Sequence, residues 1–200
     1  MLQPTFPLET ERLTLRPFDD DDLGSLHAYQ SLPEVARYLY WEPRNLEESR
    51  TFLKQKMAAT GIEREGDWLV LAVVPRETGT LIGEVNLQWS SREHRQGEIG
   101  YIINPAYHGQ GFATEAAEAV LRLGFEGLGL HRVVGRLDGR NAASARVLER
   151  LGMRHEAHLV ENELVKGEWT DEVVYAMLAQ EWKARSAIKP GRRGRRNRHD

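Results

Sequence analysis

The sequence has no cysteine among its 200 residues, so it can form neither a disulfide framework nor a thiolate metal site, and it has no cysteine nucleophile. It also lacks any apolar run close to the roughly 20 residues that span a bilayer. The N-terminus, with Pro4, Pro7, Glu9 and Glu11, has no apolar segment of the kind found in signal peptides. The remaining composition, 40% hydrophobic and 28% charged, is ordinary for a soluble protein. We therefore expect a cytoplasmic protein without membrane contact.

Negative charge dominates most of the chain, and positive charge dominates its end. Residues 183–200 contain eight lysines and arginines against one aspartate, a net charge of +7, which leaves −10 on the other 182 residues. An acidic body attracts cationic molecules to its surface. We therefore divide the chain into a single domain, residues 1–182, and a basic C-terminal tail, residues 183–200. The tail is either an extension without specific function or a segment that contacts RNA phosphates, and its charge alone does not decide between them.

The spacing of apolar residues predicts a mixed α/β fold. Strands are expected at residues 10–16, 68–74, 81–89, 98–103 and 132–137, followed by a hairpin of residues 156–163 and 172–178. Helices are expected after the aspartates at 19–22, from Asn45, from about residue 112 and from Asn141. A sheet with crossover helices on both faces binds its ligand near the carboxyl ends of strands.

The segment from Ile103 to Glu115 carries the clearest chemical signal. A strand ends at Pro105, and two glycines, Gly109 and Gly111, lead directly into an amphipathic helix. Such a turn leaves backbone N–H groups free beside the positive end of a helix dipole, where a phosphate binds without any lysine. The Gly-Lys-Ser/Thr ending of a P-loop is absent, and Thr114 replaces the third glycine of a dinucleotide fingerprint. Taken alone, the turn is either a phosphate site or purely structural.

The sequence contains two stretches, EIGYIINPAYHGQGFATEA and NAASARVLERLGM, that resemble the GNAT superfamily of N-acetyltransferases, and more narrowly its RimJ/RimL-like branch. The resemblance extends over residues 8–182 through the opening ETERLTLRPF, the LIGEVNL strand and the closing hairpin. It implies a central mixed, mostly antiparallel sheet flanked by helices on both faces. It also implies that acetyl-CoA is the acetyl donor and a primary amine the acceptor.

The resemblance further implies which residues bind acetyl-CoA. The family's pyrophosphate loop falls on residues 108–113, where His108 stands in place of the usual Gln or Arg. The full set of expected acetyl-CoA contacts is Tyr101, Ile102, Ile103, His108, Gly109, Gln110, Gly111, Phe112, Ala113, Thr114, Asn141, Ser144 and Arg146. Within this set, the backbone around Tyr101 and Ile102 could donate a hydrogen bond to the oxyanion that forms during transfer.

The residues on the sulfur side of the reaction depart from the commonest family pattern. Many members carry a tyrosine where this chain has Leu148, so the acid that protonates the leaving sulfur is missing. The branch has an Asn-x-x-Ser pattern instead, which falls on Asn141 and Ser144. Ser144 Oγ could bond the sulfur, and Asn141 could bond the pantetheine arm, cap the following helix, or do both.

The general base is expected to be a carboxylate, since an ammonium must lose a proton before it attacks. We prefer Glu98, at the start of its strand, with Glu84 on the neighbouring strand and Glu163 on the hairpin as rivals. Each of the three is alternatively a solvated carboxylate at a strand end. The amine could also lose its proton to water before binding, in which case no single base exists.

The acceptor that we prefer from the sequence is a peptide or protein N-terminal amine, including that of a ribosomal protein. Its rival is a small cationic molecule such as an aminoglycoside or a polyamine, and the acidic body suits either. The aromatic-rich residues 33–43 would close a pocket around a small amine, or else simply pack on the core. A non-catalytic acyl-CoA sensor and an RNA-binding adaptor are the other classes considered. The histidines show no metal-ligand spacing, so no metal is expected, and the protein is expected to be a monomer or a homodimer.

Overall fold

The computed structural model describes residues 1–188, which form an eight-stranded sheet with helices on both faces. The strands are β1 (Leu8–Glu9), β2 (Leu13–Arg16), β3 (Trp68–Pro75), β4 (Gly83–Ser91), β5 (Gln96–Ile103), β6 (Arg132–Asp138), β7 (Arg154–Val165) and β8 (Glu168–Leu178). The helices are α1 (Leu23–Gln30), α2 (Pro33–Ala36), α3 (Leu46–Ala58), α4 (Phe112–Arg122), α5 (Ala142–Arg150) and α6 (Ala179–Ile188). Within the described residues, no helix has the length and apolar character that crossing a membrane requires.

The strands lie in the order β1-β2-β3-β4-β5-β6-β8-β7. Every neighbouring pair is antiparallel except β5 and β6, which are parallel. The predicted fold class, a mixed and mostly antiparallel sheet flanked by helices, is therefore confirmed.

The parallel pair is the feature of the sheet that creates a site. Strands β5 and β6 pair at only three positions, the last joining Glu98 to Val134. Beyond that position β5 continues along β4 as far as Ile103, and β6 continues along β8 as far as Asp138. The two strands therefore diverge towards their carboxyl ends, and the sheet opens between them.

Alternation along β5 assigns its side chains to two different faces. Ile99 and Ile103 belong to the larger buried cluster, which includes the apolar stripe of α4. Ile102 packs with the smaller cluster, which includes Leu26 of α1 and Leu53 of α3. One face of the opening is thus covered by α4 and α5 and the other by α1 and α3.

Several local predictions are confirmed by the backbone. Asn45 caps the start of helix α3 and forms a reciprocal capping box with Glu48 through hydrogen bonds of 3.0 and 2.8 Å. The closing hairpin turns at Lys166 and Gly167, whose φ angles of 52° and 82° suit a tight two-residue turn. Strand β4 begins at Gly83 rather than at residue 81. The helix that begins at Phe112 gives way after Arg122 to a wide π-helical turn.

Helix α6 passes the domain boundary that the charge pattern predicted after residue 182. It extends to Ile188, and Arg185 donates a hydrogen bond to the carbonyl oxygen of Arg150 at 3.1 Å. The rest of the predicted tail, residues 189–200, lies outside the described residues. The role of the tail therefore stays a prediction from the sequence.

Candidate active site

The diverging strands open into a groove with a volume of about 670 Å³. Twelve of the thirteen predicted acetyl-CoA contacts line it, and Gln110 is the exception. Helix α2 and the residues that follow it, residues 33–43, which we call the α2 segment, form part of another wall through Val35, Arg37 and Tyr38. The groove therefore brings together strand β5, the glycine turn, the start of α5 and the aromatic-rich connection.

The glycine turn is shaped as an anion site. Gly109 and Gly111 have φ angles of 76° and 84°, which an L-residue adopts only with strain. A Cβ atom on Gly109 would meet nothing within 4 Å, so the backbone there borders open space. Helix α4 starts at Phe112, and its first N–H groups have no partner within the helix. The Thr114 side-chain oxygen in this first turn is buried and has no hydrogen-bond partner among residues 1–188. These features fit the pyrophosphate of acetyl-CoA.

The side chain of His108 has a structural role in this turn. Its Nε2 atom is hydrogen-bonded to the carbonyl oxygen of Ile103 at 2.8 Å. That bond ties the turn to the end of strand β5. The histidine that replaces the family's Gln or Arg at this position therefore still fixes the backbone of the turn, through this hydrogen bond.

Arg12, which the sequence analysis missed, contacts the glycine turn and the first turn of α4. Its Nη1 atom donates to the carbonyl oxygen of Gln110 at 2.9 Å, and its guanidinium pairs with Glu115 at 2.7 Å. Thr10 also donates to Glu115, at 2.6 Å. Burial would raise the pKa of Glu115, but the hydrogen bonds from Thr10 and Arg12 outweigh burial and lower it. Because Arg12 is more than 90 residues away from the turn in the chain, no local pattern reveals this contact.

The start of α5 places a hydroxyl pair on the groove. Asn141 caps the helix by accepting a hydrogen bond from the backbone N–H of Ser144 at 3.0 Å. The hydroxyl of Tyr101 lies 3.0 Å from both the carbonyl oxygen and the Oγ atom of Ser144. Leu148 is buried in the core, against Gly135, where any Cβ atom would lie 2.9 Å from the Leu148 side chain. Tyr101 and Ser144 therefore place two hydroxyl groups side by side on this wall of the groove.

Three arginines line the groove without a carboxylate partner among the described residues. Arg146 and Arg150 project from α5, and Arg37 comes from the segment that follows α2. The Arg37 guanidinium lies 5.2 Å from the ring centroid of Tyr38. Unpaired guanidinium groups at a groove bind phosphates well. This part of the site is therefore suited to a polyanionic ligand.

Carboxylates gather on the opposite face of the sheet, where the opening begins. Glu98 lies 3.4 Å from the guanidinium of Arg136, which also binds Glu172 at 3.0 Å. Burial raises the pKa of Glu98; Arg136 opposes this effect, and Glu172 and Glu163 add to it. Glu98 does not line the groove itself. We call Glu98, Glu163, Glu172 and Arg136 the acidic cluster. Among residues 1–188, no group of three His, Asp or Glu side chains is arranged to hold a metal ion.

The α2 segment is joined to the hairpin that carries Glu163. Tyr40 donates a hydrogen bond to Glu163 at 2.7 Å, although the residue is 72% exposed. Lys166 donates to the carbonyl oxygen of Ala36 at 2.7 Å. The segment therefore contributes both to the groove and to the border of the acidic cluster.

Glu84, the second catalytic candidate from the sequence, is buried and makes its contacts away from the groove. Only 4% of the residue is exposed, and its carboxylate accepts hydrogen bonds from Tyr29 at 2.8 Å and from Lys56 at 2.6 Å. Burial, together with the charge of Glu84, raises the pKa of Tyr29 well above its usual value. The Glu84 carboxylate thus joins α1 and α3 to strand β4 and lies away from the groove.

Comparison with known proteins identifies the family. The model of the acetyltransferase (GNAT) domain matches residues 12–154. The chain belongs to this family, and it is an acetyl-CoA-dependent N-acetyltransferase.

Individual relatives agree with this assignment. The chain is 32% identical over 175 residues to the uncharacterized N-acetyltransferase YnaD of Bacillus subtilis, covering 88% of this chain and 98% of that protein. It is 26% identical over 185 residues to the ribosomal protein uS5-alanine N-acetyltransferase of Escherichia coli, covering 90% and 94%. It also resembles the structure of Vibrio cholerae spermidine N-acetyltransferase in complex with CoA and spermine. That match has a TM-score of 0.71 and 25% identity, over 87% of this chain and 99% of that one.

Proposed function

We propose that the protein transfers the acetyl group of acetyl-CoA to a primary amine of a small cationic molecule, such as a polyamine or an aminoglycoside. The acidic cluster is the observation that supports this acceptor class, because it sets three carboxylates around the single guanidinium of Arg136. Three carboxylates and one guanidinium leave two negative charges without a positive partner in the cluster. An acceptor with one ammonium group neutralises one of them. An acceptor with a second cationic nitrogen offsets both.

The groove would hold acetyl-CoA through groups that face it. The free N–H groups of the glycine turn and of the first turn of α4 would bind the pyrophosphate. Arg37, Arg146 and Arg150 would bind the remaining phosphate charge. The backbone of β5 beyond Glu98, which has no partner in β6, would donate to the thioester oxygen.

Acetyl transfer then needs a deprotonated amine next to the thioester. Glu98 is assigned as the general base, since burial brings its pKa nearer to neutrality. The amine nitrogen forms a bond to the carbonyl carbon, the carbon–sulfur bond breaks, and the electron pair remains on sulfur. The ammonium nitrogen loses two protons in the reaction. One passes to Glu98 and then to solvent, and the other is the equivalent of the proton that converts the released thiolate into the thiol. Glu84 is left out of this mechanism because its carboxylate is buried with Lys56.

A peptide or protein N-terminal amine is the second candidate acceptor. It is the acceptor that membership of the RimJ/RimL-like branch would favour, and the Escherichia coli relative that acetylates alanine of ribosomal protein uS5 supports it. The exposure of Tyr40 also leaves room for a longer acceptor at the rim of the site. The Vibrio cholerae structure with CoA and spermine favours the small-molecule acceptor.

The test is the release of CoA thiol from acetyl-CoA with three panels of acceptors: polyamines, aminoglycosides and N-terminal peptides. We expect polyamines or aminoglycosides to give a kcat/KM at least about 10-fold above every peptide, equivalent to about 1.4 kcal/mol. A preference for peptides would overturn the proposed acceptor and favour the second candidate. CoA binding without thiol release on any panel would instead point to a non-catalytic acyl-CoA sensor.

A further inference from the structure

We propose that the guanidinium of Arg12 keeps the glycine turn attractive to phosphate by neutralising the carboxylate of Glu115 in the first turn of α4. Arg12 does not line the groove, so it acts on the ligand through its charge. It is a positioning residue in this scheme, not a catalytic one. The inference rests on the proposed function only in that acetyl-CoA occupies the groove with its pyrophosphate at the glycine turn.

The Glu115 carboxylate holds the start of the sheet against α4. Its Oε1 atom accepts hydrogen bonds from the side chain of Thr10 at 2.6 Å and from the backbone N–H of Arg12 at 2.8 Å. Strand β2 begins at the next residue, Leu13. Burial raises the pKa of Glu115, but the hydrogen bonds from Thr10 and Arg12 lower it by more, so the carboxylate is charged at neutral pH. The negative charge therefore has a structural role that involves no ligand.

The same negative charge lies in an unfavourable place for phosphate binding. Glu115 belongs to the first turn of α4, directly after the glycine turn. The N-terminus of a helix acts as a positive charge of about +0.5, so a full carboxylate charge beside it leaves a sum of about −0.5. Residues 108–114 contain no lysine or arginine that would offset this charge. Without a further cation, the turn would repel a pyrophosphate.

Arg12 supplies that cation from another part of the chain. Its Nε and Nη2 atoms both lie 2.7 Å from the Glu115 carboxylate. Its Nη1 atom donates to the carbonyl oxygen of Gln110 at 2.9 Å, and Nη2 lies 3.4 Å from the position that a Cβ atom on Gly111 would take. The guanidinium carbon is 4.7 Å from the ring centroid of Phe112. The positive charge is thus fixed between the carboxylate and the turn, and the sum at the turn returns to about +0.5.

The first test measures CoA affinity of the full-length protein by calorimetric titration, with no acceptor present. Arg12→Gln leaves the carboxylate charge uncompensated, and we expect about 10-fold weaker binding, equivalent to about 1.4 kcal/mol. Glu115→Gln removes the negative charge and keeps the Oε1 acceptor for Thr10, so its CoA affinity should equal or exceed that of the wild type. The double variant should bind CoA within about 3-fold of the wild type, because neither charge remains.

Two further variants separate charge from support of the backbone. Arg12→Lys keeps the charge but loses the forked hydrogen bonds, and we expect it to bind CoA within about 3-fold of the wild type. Arg64→Gln is the control, because it makes the same change in net charge at the exposed ion pair with Asp67, and it should leave the affinity unchanged. If Arg12 only braced the turn, the double variant would bind CoA as weakly as Arg12→Gln does. That result would overturn the inference, and so would wild-type affinity in Arg12→Gln.

The second test repeats the titrations with dephospho-CoA, which lacks the 3′-phosphate and keeps the pyrophosphate. We expect Arg12→Gln to weaken both ligands by the same factor. A loss confined to CoA would place the effect at the 3′-phosphate and overturn the inference. Failure of the proposed acceptor would leave both titrations intact, since neither contains an amine. A wild-type protein that binds neither ligand would overturn the proposed function, and the inference with it.

Discussion

The two sides of the site are built in different ways. The groove, which is the proposed acetyl-CoA side, is formed mainly by two continuous segments, residues 101–114 and 141–150, and offers backbone N–H groups, small residues and two arginines, to which residues 34–39 add Arg37. The acceptor side draws its charged groups from four strands: Glu98 from β5, Arg136 from β6, Glu163 from β7 and Glu172 from β8. In the proposed function, the polyanionic acetyl-CoA and the cationic acceptor therefore approach from opposite faces of one opening in the sheet.

In the proposed mechanism, this separation keeps acetyl-CoA away from the carboxylates of the acidic cluster. Acetyl-CoA carries several negative charges and would be repelled by the acidic cluster if both lay on the same face. The sheet lies between them, and the two reactants meet only where β5 and β6 diverge. The comparison therefore predicts that variants on one side change one reactant's parameters and leave the other's unchanged.

The largest effect is expected on the acetyl-CoA side from Gly109→Leu. The new side chain would project into the open space beside the turn and displace the hydrogen bonds to the phosphates. Loss of two such bonds, about 3 kcal/mol together, weakens CoA binding roughly 100-fold. Calorimetric titration of CoA measures this loss directly.

Gly79→Leu is the matched control for this variant. Gly79 also has a positive φ, 67°, and open space around its Cβ position, but it lies in the β3–β4 turn. Both variants should lose a similar amount of stability, about 1–2 kcal/mol, because both force an L-residue into the left-handed region. Equal CoA affinity in the two variants would contradict the placement of the phosphates.

On the acceptor side, Glu98→Gln should lower kcat/KM about 100-fold at a pH where the acceptor is protonated. CoA affinity should remain that of the wild type, since Glu98 does not line the groove. The rate difference should shrink as rising pH makes the amine neutral without help. A loss of the same size at every pH would remove Glu98 as the base.

Glu163→Gln should act on binding of the acceptor rather than on chemistry. We expect it to raise the KM of a diamine about 5-fold, equivalent to about 1 kcal/mol for a partly exposed charge pair. The KM of a monoamine of similar length should hardly change, because one ammonium is satisfied at Glu98. The measurement compares the KM of the diamine and of the monoamine in the wild type and in the variant. An equal rise for both amines would contradict a second cation site at Glu163.

The smallest effect is a shift in pH dependence from Arg136→Gln. The positive charge of Arg136 lowers the pKa of Glu98 against the larger effect of burial. Removing that charge therefore raises the pKa of Glu98, and the acid limb of the kcat/KM profile moves to higher pH. An acid limb at the wild-type pH would show that Arg136 does not act on the base, and movement to lower pH would contradict the direction of its effect.

The difference between the two sides also decides what the sequence could reveal. The φ angles of the glycine turn, its contact between His108 and Ile103, and the α5 cap involve residues at most five apart, so a local pattern predicts them, whereas the support from Arg12 is not local. The acidic cluster depends on the register of the closing hairpin, which shifts between Leu159 and Glu163. A bulge of this kind redirects side chains without leaving a clear signal in the sequence. For that reason the sequence offered Glu163 only as a rival to Glu98 for the role of base, and did not place it in a cluster with Glu172 and Arg136.

Glu84 and Glu98, which lie on one face of the sheet, also show where prediction from the sequence fails. Both are strand glutamates with the same local appearance, and the sequence offered both as bases. Helices α1 and α3 bring Tyr29 and Lys56 against Glu84, whereas Glu98 stays beside the opening. Contacts between residues 28 and 55 positions apart separate the two roles. The Tyr101–Ser144 contact, 43 positions apart, was missed for the same reason.

The most direct test of the two-sided site is hydrogen–deuterium exchange of the full-length protein with and without saturating CoA. We predict slower amide exchange in residues 105–115 and 141–150, and unchanged exchange in the hairpin residues 159–172 that carry Glu163 and Glu172. Protection of the hairpin instead of the glycine turn would contradict the account, because CoA would then bind on the side assigned to the amine.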